Sequence, residues 1–322
     1  PLKRKAPVPK SRIKDQYICS TIKEDIYTMK TESINIVQSY WSKSYQSNQP
    51  NFGWYNKAYH YMSWTLSCLK LSQFYKHVNL VTDTPGAELL IGKLNLPYTS
   101  VSCELDKLSN CDEKLWTLGK LRAYAIQEKP FIHVDGDVFI WNKFPDELER
   151  APLVAQNDEV EYPYNFEVMK ILVDSGFIFP EGVKTVRPII ESNAGILGGC
   201  DIDFFKFYAE QTSYFIKVNE ERIKNLQGDT ATINTVLEQY LFHELAAQKG
   251  VPVAHYFKQN ITFRNFDIFN RFASIPHEVQ YLHALGCYKS RQETGARIAR
   301  CLWYEFPEYY DKLADLIKNK IL

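Results

Sequence analysis

Two aspartates separated by one residue follow an apolar stretch near the middle of the chain. The apolar residues 131–134 predict a buried strand, and Asp135-Gly136-Asp137 comes directly after it. Two carboxylates at this spacing can bind one divalent cation if the backbone bends, and Gly136 permits such a bend. Oxygen ligands favour Mg²⁺ or Mn²⁺, which also bind diphosphate oxygens. The triplet predicts a metal site, where a cation would stabilise negative charge that develops on a phosphate leaving group.

The same triplet also has a purely structural interpretation. Asp-Gly between two apolar stretches is a strong β-hairpin signal, and the apolar residues 138–141 follow at once. Motifs this short often match by chance. Taken alone, the triplet leaves the metal site and the hairpin turn both open.

A second motif lies near the end of the chain. His283, Gly286 and Lys289 have the spacing H-x-x-G-x-x-K. A neutral imidazole is a good ligand for Mn²⁺, and a lysine ammonium group is a good point charge for phosphate. The alternative for His283 is a hydrogen-bonded core histidine beside a glycine turn.

A third motif, Asn193-Ala194-Gly195, lies between the other two. An asparagine amide offers both donor and acceptor groups to a polar ligand, while alanine and glycine allow the ligand to approach the backbone. The alternative is a strand that ends in a glycine turn.

In this order, the three motifs resemble those of the retaining glycosyltransferases of the glycogenin and lipooligosaccharide-galactosyltransferase type, which have a GT-A fold. The resemblance implies that His283 is a third ligand of Mn²⁺ or Mg²⁺, beside Asp135 and Asp137. It implies that Lys289 neutralises the leaving group. It also implies contacts of the nucleotide-sugar donor with Asp135, Gly136, Asn193, Ala194, Gly195, Gly286 and Lys289.

Glu238 and Gln239 extend the resemblance with a weaker match. They correspond to an acidic residue and a glutamine that lie near the reacting face of the sugar, so we expect both to be catalytic. The family usually has a further acid where this chain has Tyr240. An exposed Glu-Gln pair on a helix surface is the alternative.

The resemblance implies further contacts with the nucleotide-sugar donor in two segments of the first half of the chain. Lys120 and Arg122 lie in a segment that resembles the family's basic helix, whose side chain reaches the nucleotide or its phosphates. The alternative for one of them is an ordinary charged residue on the surface. Gln38 and Tyr40 end the first predicted strand, where this fold holds the uracil or the ribose. Ser290-Arg291 replaces the family's usual Pro-Trp, so we expect a distant relative.

Alternating strand and helix signals surround these motifs. Strands are predicted at 33–38, 78–81, 98–103 and 131–134, with helices at 59–69, 88–94 and 114–127. Further helices are predicted at 201–217, at 229–248 with Asp229 as its cap, and at the C terminus, and extended segments at 187–197 and 251–254. This alternation predicts an α/β fold with a mostly parallel, doubly wound sheet flanked by helices, which binds ligands at the carboxyl ends of its strands.

We expect one GT-A-like domain over 33–290, a basic N-terminal tail over 1–32 and a helical C-terminal extension over 291–322 packed on the domain. Of the 322 residues, 45% are apolar and 24% are charged, which is ordinary for a globular protein. Lys+Arg and Asp+Glu both number 38, so no net field favours nucleic acid. No apolar stretch reaches the roughly 18 residues of a membrane span.

The seven cysteines contain no C-x-x-C pair, which argues against a disulfide scaffold and a structural zinc site. A cytoplasmic location fits this pattern best. The basic residues up to Lys14 are expected to form a solvated tail, with peripheral membrane attachment as the alternative. Aromatic residues make up 14% of the chain, a content that suits stacking on sugar or base rings as well as a core.

Together these patterns predict a metal-dependent glycosyltransferase that moves a hexose from a UDP-sugar to a glycan, lipid-linked, peptide or small-molecule hydroxyl acceptor. Retention of the anomeric configuration follows from the resemblance alone. One alternative is a sugar-nucleotide nucleotidyltransferase, although residues 33–44 lack the glycine-rich phosphate loop usual in that class. The other is a non-catalytic carbohydrate- or nucleotide-binding protein on the same fold.

Overall fold

The computed structural model describes residues 34–47, 50–160, 162–226, 231–259, 261–262 and 264–322. The segment Ile34–Leu322 forms one compact unit. The predicted basic tail and Asp229 lie outside the described residues, so the division into tail, domain and extension stays a prediction. None of the described helices is both long enough and apolar enough to cross a membrane.

Strands and helices alternate along the described residues. The strands are β1 (Asn35–Tyr40), β2 (Val78–Thr82), β3 (Ser100–Ser102), β4 (Phe131–Val134), β5 (Val138–Ile140), β6 (Leu153–Ala155), β7 (Asp158–Val160), β8 (Ile190–Ser192), β9 (Ile196–Gly199), β10 (Val253–His255) and β11 (Tyr281–His283). The α-helices are α1 (Ser42–Ser47), α2 (Lys57–Phe74), α3 (Thr84–Ala87), α4 (Leu118–Ala125), α5 (Asp146–Glu149), α6 (Pro163–Asp174), α7 (Ile202–Val218), α8 (Glu220–Asn225), α9 (Ala231–Thr235), α10 (Leu241–Lys249), α11 (Gly286–Lys289), α12 (Gln292–Glu305) and α13 (Pro307–Lys318). Turns of 3₁₀-helix cover Pro50–Gly53, Glu104–Leu108, Phe266–Asn270 and Phe272–Ser274, and turns of π-helix cover Glu88–Lys93 and Val236–Tyr240.

The main sheet has seven strands in the order β10-β6-β9-β4-β1-β2-β3 among the described residues. β1 is parallel to β2 and β4, β2 is parallel to β3, and β6 is parallel to β10. β9 is antiparallel to both of its neighbours, β4 and β6. The prediction of an α/β fold with a mostly parallel sheet flanked by helices is therefore confirmed, and β9 is the reversed strand within it.

The central strands are buried on both faces of the sheet. Val37 of β1 and Phe131 of β4 lie in one hydrophobic cluster, together with side chains of α4 and α7. Their chain neighbours Ile36 and Ile132 lie in a different cluster, which includes Leu71 of α2. Burial on both sides explains why successive residues are apolar at Ile36–Val37 of β1 and Phe131–Ile132 of β4. Each such fully buried side chain contributes about 1.5–3 kcal/mol to stability.

Two predicted helices differ from the observed ones. The helix predicted at 114–127 covers only Leu118–Ala125, and just before it the backbone N–H of Thr117 donates to Asn234 Oδ1 (3.0 Å). The helix predicted at 229–248 is divided into α9, a π-helical turn and α10. The π-helical turn at Val236–Tyr240 carries Glu238 and Gln239.

The hairpin interpretation of Asp135-Gly136-Asp137 is wrong. β5, which follows the triplet, does not pair with β4 but forms a separate antiparallel sheet with β11. The triplet is therefore a link between two sheets, and this link is what places the candidate site.

Candidate active site

The aspartate pair lies at the carboxyl end of β4, in the middle of the main sheet. Pairing of β5 with β11 sets His283 opposite Val138, and the backbone N–H of Ala284 donates to Asp137 O (2.9 Å). As a result, one ligand atom from each of Asp135, Asp137 and His283 lies within 4.8 Å of the other two. In the described part of the chain, no other group of His, Cys, Asp or Glu side chains has this geometry.

Gly136 is required at this point because of packing. The backbone does bend here, in a turn closed by a hydrogen bond from Val138 N to Asp135 O (3.1 Å). Gly136 does not adopt a positive φ, so the turn alone does not demand glycine. A Cβ at this position would lie within 2.6 Å of three atoms of the Trp64 indole. The close approach of that ring therefore excludes any larger residue.

Lys289 and His283 both contact Asp137. Lys289 Nζ lies 2.5 Å from Asp137 Oδ2, and His283 Nε2 lies 3.5 Å from Asp137 Oδ1. Burial opposes ionisation of Asp137, but the ammonium group of Lys289 favours it and helps to hold the pKa of this carboxyl well below its usual range. Asp137 is therefore anionic at neutral pH, which is the form that binds a metal.

Lys120 bridges Asp135 and Glu238. Its Nζ lies 2.7 Å from Asp135 Oδ1 and 2.8 Å from Glu238 Oε1, and the Tyr124 hydroxyl donates to the same Glu238 oxygen (2.9 Å). Burial raises the pKa of Asp135 to about 6, although the charge of Lys120 opposes that rise. Burial also disfavours the charged form of Lys120, but the two carboxylates outweigh it and raise its pKa above the usual range. Lys120 therefore carries its charge inside the site.

A cavity of about 330 Å³ opens at the two aspartates. Its charged lining consists of Lys120, Asp135, Asp137 and Lys289. Its aromatic lining, which the sequence patterns did not identify, consists of Trp41, Phe52, Trp54, Trp64 and Trp116, with His60 beside them. The 14% aromatic content was the sequence signal for this wall. Aromatic faces beside paired charges suit a ligand with both a flat ring and a diphosphate.

The predicted site residues fall into three groups. Those that line the cavity are Lys120, Asp135, Gly136, Asp137, Gly286 and Lys289. Glu238 and His283 lie behind this lining and contact Lys120 and Asp137 respectively. The remaining predicted residues do not line the cavity.

The segment Asn193-Ala194-Gly195 lies beside the aspartates but outside the cavity lining. The backbone N–H of Asp135 donates to Gly195 O (3.0 Å). The Asn193 amide is buried and is engaged at both ends, since Nδ2 donates to Glu159 Oε1 (2.6 Å) and Oδ1 accepts from Gly195 N (3.0 Å). The Asn193 side chain is 3% exposed, so burial limits the access of a sugar hydroxyl to it.

Gln38, Tyr40 and Arg122 are not among the residues that line the cavity. Gln38 Nε2 donates to Ser67 Oγ (3.0 Å) and to Val134 O (3.3 Å), so it holds the end of β4. The Tyr40 ring packs edge-on against the Trp64 ring, with 5.0 Å between the centroids. Arg122 forms an ion pair with Glu104, in which Nη2 lies 2.5 Å from Oε2.

Comparison with solved structures gives, among others, a match to mouse xyloside xylosyltransferase 1 in its apo form. The two chains are 8% identical with a TM-score of 0.37, and the match covers 69% of this chain and 84% of that chain. Because both values are low, the functional conclusion depends on the geometry of the site. No curated protein sequence matches the chain. Residues 34–316 match the profile of a protein family of unknown function, DUF6734, and the chain belongs to that family.

Proposed function

We propose that the chain is a metal-dependent glycosyltransferase of the GT-A type, which moves a hexose from a UDP-sugar to a hydroxyl acceptor. The proposal is carried by the convergence of Asp135, Asp137 and His283 beside a cavity that two lysines also line. Open α/β sheets bind their ligands at this end of the strands. The acceptor would be a glycan, a lipid-linked sugar, a peptide or a small molecule.

The side chains present suit Mn²⁺ or Mg²⁺. Asp135 and Asp137 offer oxygen ligands and His283 offers a nitrogen ligand, with the three ligand atoms within 4.8 Å of one another. Such a set of hard oxygens with one imidazole is compatible with either ion. When bound, the cation would stabilise the negative charge that develops on the departing diphosphate.

Lys289 and Lys120 would bind the diphosphate and neutralise it. Both side chains line the cavity, and each ammonium group also lies over an aromatic ring, at 5.6 Å from the Trp116 ring for Lys120 and 6.0 Å from the Trp54 ring for Lys289. Fixed positive charge beside a leaving group is the kind of electrostatic stabilisation that often dominates catalysis. Trp54 and Trp116 would offer flat faces to the nucleobase or the sugar.

Retention of the anomeric configuration enters the proposal through the family resemblance. The bond between the anomeric carbon and the diphosphate oxygen breaks, and the acceptor oxygen bonds to the same face of that carbon. The acceptor proton passes to the leaving phosphate oxygen, so no separate base is needed. Glu238 and Gln239 would orient the sugar, and Asn193, Ala194 and Gly195 would lie along it. The proposed nucleotide contacts of Gln38, Tyr40 and Arg122 are not essential to this scheme.

A cytoplasmic location is part of the same proposal. It is supported by six cysteines that are free among the described residues. Free thiols are usual in a reducing compartment.

The proposal is tested by measuring UDP release from a panel of UDP-sugars, with and without Mn²⁺, for the wild type and for Asp137→Asn. We expect at least one UDP-sugar to give metal-dependent release. Asp137→Asn should reduce that release by about 100-fold or more, because an amide replaces a charged metal ligand. Asp203→Asn is the matched control, since the Asp203 side chain is 95% exposed on α7 and should leave release unchanged.

Three other outcomes have distinct meanings. Release that is equal with and without metal would refute the metal site. Release that Asp137→Asn leaves intact would refute the assignment of this aspartate. Metal-dependent UDP binding without release from any donor, even with acceptors added, would favour a binding protein over an enzyme.

A further inference from the structure

We propose that Gln156 is a positioning residue, which fixes the tautomer of His283 so that the unprotonated Nε2 atom faces the metal site. The inference rests on the proposed function in one respect, namely that His283 serves as a metal ligand. Gln156 follows β6 directly and belongs to none of the motifs identified from the sequence. Its role becomes visible only through contacts with β11.

The Gln156 side chain is fully buried and contacts two residues of β11. Its Oε1 atom lies 2.7 Å from His283 Nδ1 and 2.6 Å from the Tyr281 hydroxyl. Tyr281 and His283 are two positions apart on the strand, so their side chains share one face of it. One amide oxygen thus contacts both side chains.

The orientation of the Gln156 amide follows from a chain of hydrogen bonds that begins at the backbone. Asp158 O can only accept, so Asn157 Nδ2 must be the atom that donates to it (3.0 Å). Asn157 Oδ1 is then the acceptor that faces Gln156 Nε2 (3.0 Å). With its nitrogen directed to Asn157, Gln156 must present its oxygen to His283.

This orientation decides where the imidazole of His283 carries its proton. An amide oxygen has no proton to give, so His283 Nδ1 must be the donor. In the neutral ring, Nε2 is then the atom with the lone pair. His283 Nε2 lies 3.5 Å from Asp137 Oδ1, on the side of the two aspartates. A hydrogen bond from the other ring nitrogen is the usual way in which proteins orient a metal-ligating histidine.

Gly195 supplies an independent indication that this contact is built into the fold. A Cβ at residue 195 would overlap Gln156 Oε1 and would lie 2.5 Å from His283 Nδ1. Only glycine therefore allows the amide and the imidazole to meet. Gly195→Ala should separate the two groups and leave all three ligand side chains in the sequence.

The test begins with the full chain labelled with ¹⁵N in its histidine rings, without metal and without donor, in buffer where imidazole is neutral. The His283 signals are identified by their loss in His283→Ala. We expect a protonated Nδ1 and an unprotonated Nε2 in the wild type. Gln156→Met, which removes the acceptor at similar size, should shift the proton towards Nε2, as should Gly195→Ala.

Tyr281→Phe is the matched control. It removes the other group that donates to Gln156 Oε1 but keeps the acceptor for His283, so the tautomer should not change. Mn²⁺ affinity, followed by electron paramagnetic resonance, should fall by roughly 10–100-fold in Gln156→Met and stay at the wild-type value in Tyr281→Phe.

A wild-type His283 with its proton on Nε2 would overturn the inference. So would a Gln156→Met protein that retains both the wild-type tautomer and the wild-type Mn²⁺ affinity. Because the ring nitrogens are observed without donor or turnover, the two proposals fail separately. The predicted tautomer in a protein that releases no UDP would refute the transferase and leave the role of Gln156 intact.

Discussion

Two buried glutamates lie opposite one another on the small sheet of β7 and β8. Glu159 pairs in register with Glu191, and both side chains are largely shielded from solvent. Glu159 Oε1 accepts from Asn193 Nδ2 (2.6 Å), whereas Glu191 Oε2 has no hydrogen-bond partner among the described residues. Burial raises the pKa of Glu191 well above its usual value of 4.5, and the charge of Glu159 raises it further. Glu191 therefore holds its proton up to a higher pH in the folded protein than in the unfolded chain.

This pKa difference predicts how stability depends on pH. The folded state holds the Glu191 proton more tightly than the unfolded state does. Protonation of Glu191 therefore contributes fully to the free energy of unfolding below the unfolded pKa of 4.5, and this contribution is lost as the pH rises above that value. Glu191→Gln keeps the shape without the titration, so it should gain stability relative to the wild type between about pH 5 and pH 7. Urea denaturation at both pH values measures this difference. A constant difference would contradict the prediction.

At the scale of elements, the pattern of apolar residues predicted individual strands and helices but not the pairing between distant strands. β1, β2, β4 and α2 were predicted because their apolar spacing can be read within a few residues. The pairing of β5 with β11 was not, since it joins segments far apart in the chain. The Gln156–His283 contact spans 127 residues for the same reason. The three candidate metal ligands could nevertheless be predicted, because their residue types and order resemble a known family even where their spatial arrangement cannot be read from the sequence.

The helix α12 is attached to α2 by a buried ion pair. Lys70 Nζ lies 2.9 Å from Glu305 Oε2, with the Lys70 side chain only 3% exposed and Glu305 26% exposed. The Trp141 indole donates to the other oxygen of Glu305 (3.2 Å), and Lys70 Nζ lies 5.0 Å from the Trp141 ring. These contacts fix the C-terminal helices against the helix that also carries Trp64.

Removal of one partner of this pair should be costly. Glu305→Ala leaves the Lys70 charge buried without compensation, and we expect a loss of roughly 2–4 kcal/mol in the free energy of unfolding measured in urea. The double variant Lys70→Met/Glu305→Ala should recover most of that loss, because an apolar side chain replaces the buried charge. Glu293→Ala, at an exposed position on the same helix, is the control. Equal losses in the single and double variants would show that the uncompensated charge of Lys70 is not the cause of the lost stability.

At the scale of the whole molecule, the candidate site joins distant parts of the chain. Asp135 and Asp137 follow a central strand, whereas His283 and Lys289 come from β11 and α11 near the C terminus. A cation held by Asp135, Asp137 and His283 would therefore link the main sheet to the β5–β11 sheet. Such a link is available only in the folded state.

Metal binding should accordingly stabilise the folded protein. At a Mn²⁺ concentration about 100 times the dissociation constant, the free energy of unfolding should rise by about 2.7 kcal/mol. Urea denaturation with and without Mn²⁺ measures this rise, with Asp203→Asn as a variant that should respond fully. Asp137→Asn should respond weakly or not at all. An equal response in Asp137→Asn would place the bound metal at another position.

The separation of β5 from β11 also affects the order in which the protein can form during synthesis. β5 is an apolar strand that ends at Ile140, and its partner does not begin until Tyr281. At roughly 5–20 residues per second, a ribosome leaves the β5 edge unpaired for on the order of ten seconds. Unpaired apolar edges promote aggregation. A nascent or truncated chain that stops before Tyr281 is therefore expected to be insoluble. Mutations in the C-terminal region would then lower the yield of soluble protein before any loss of catalytic activity could be measured.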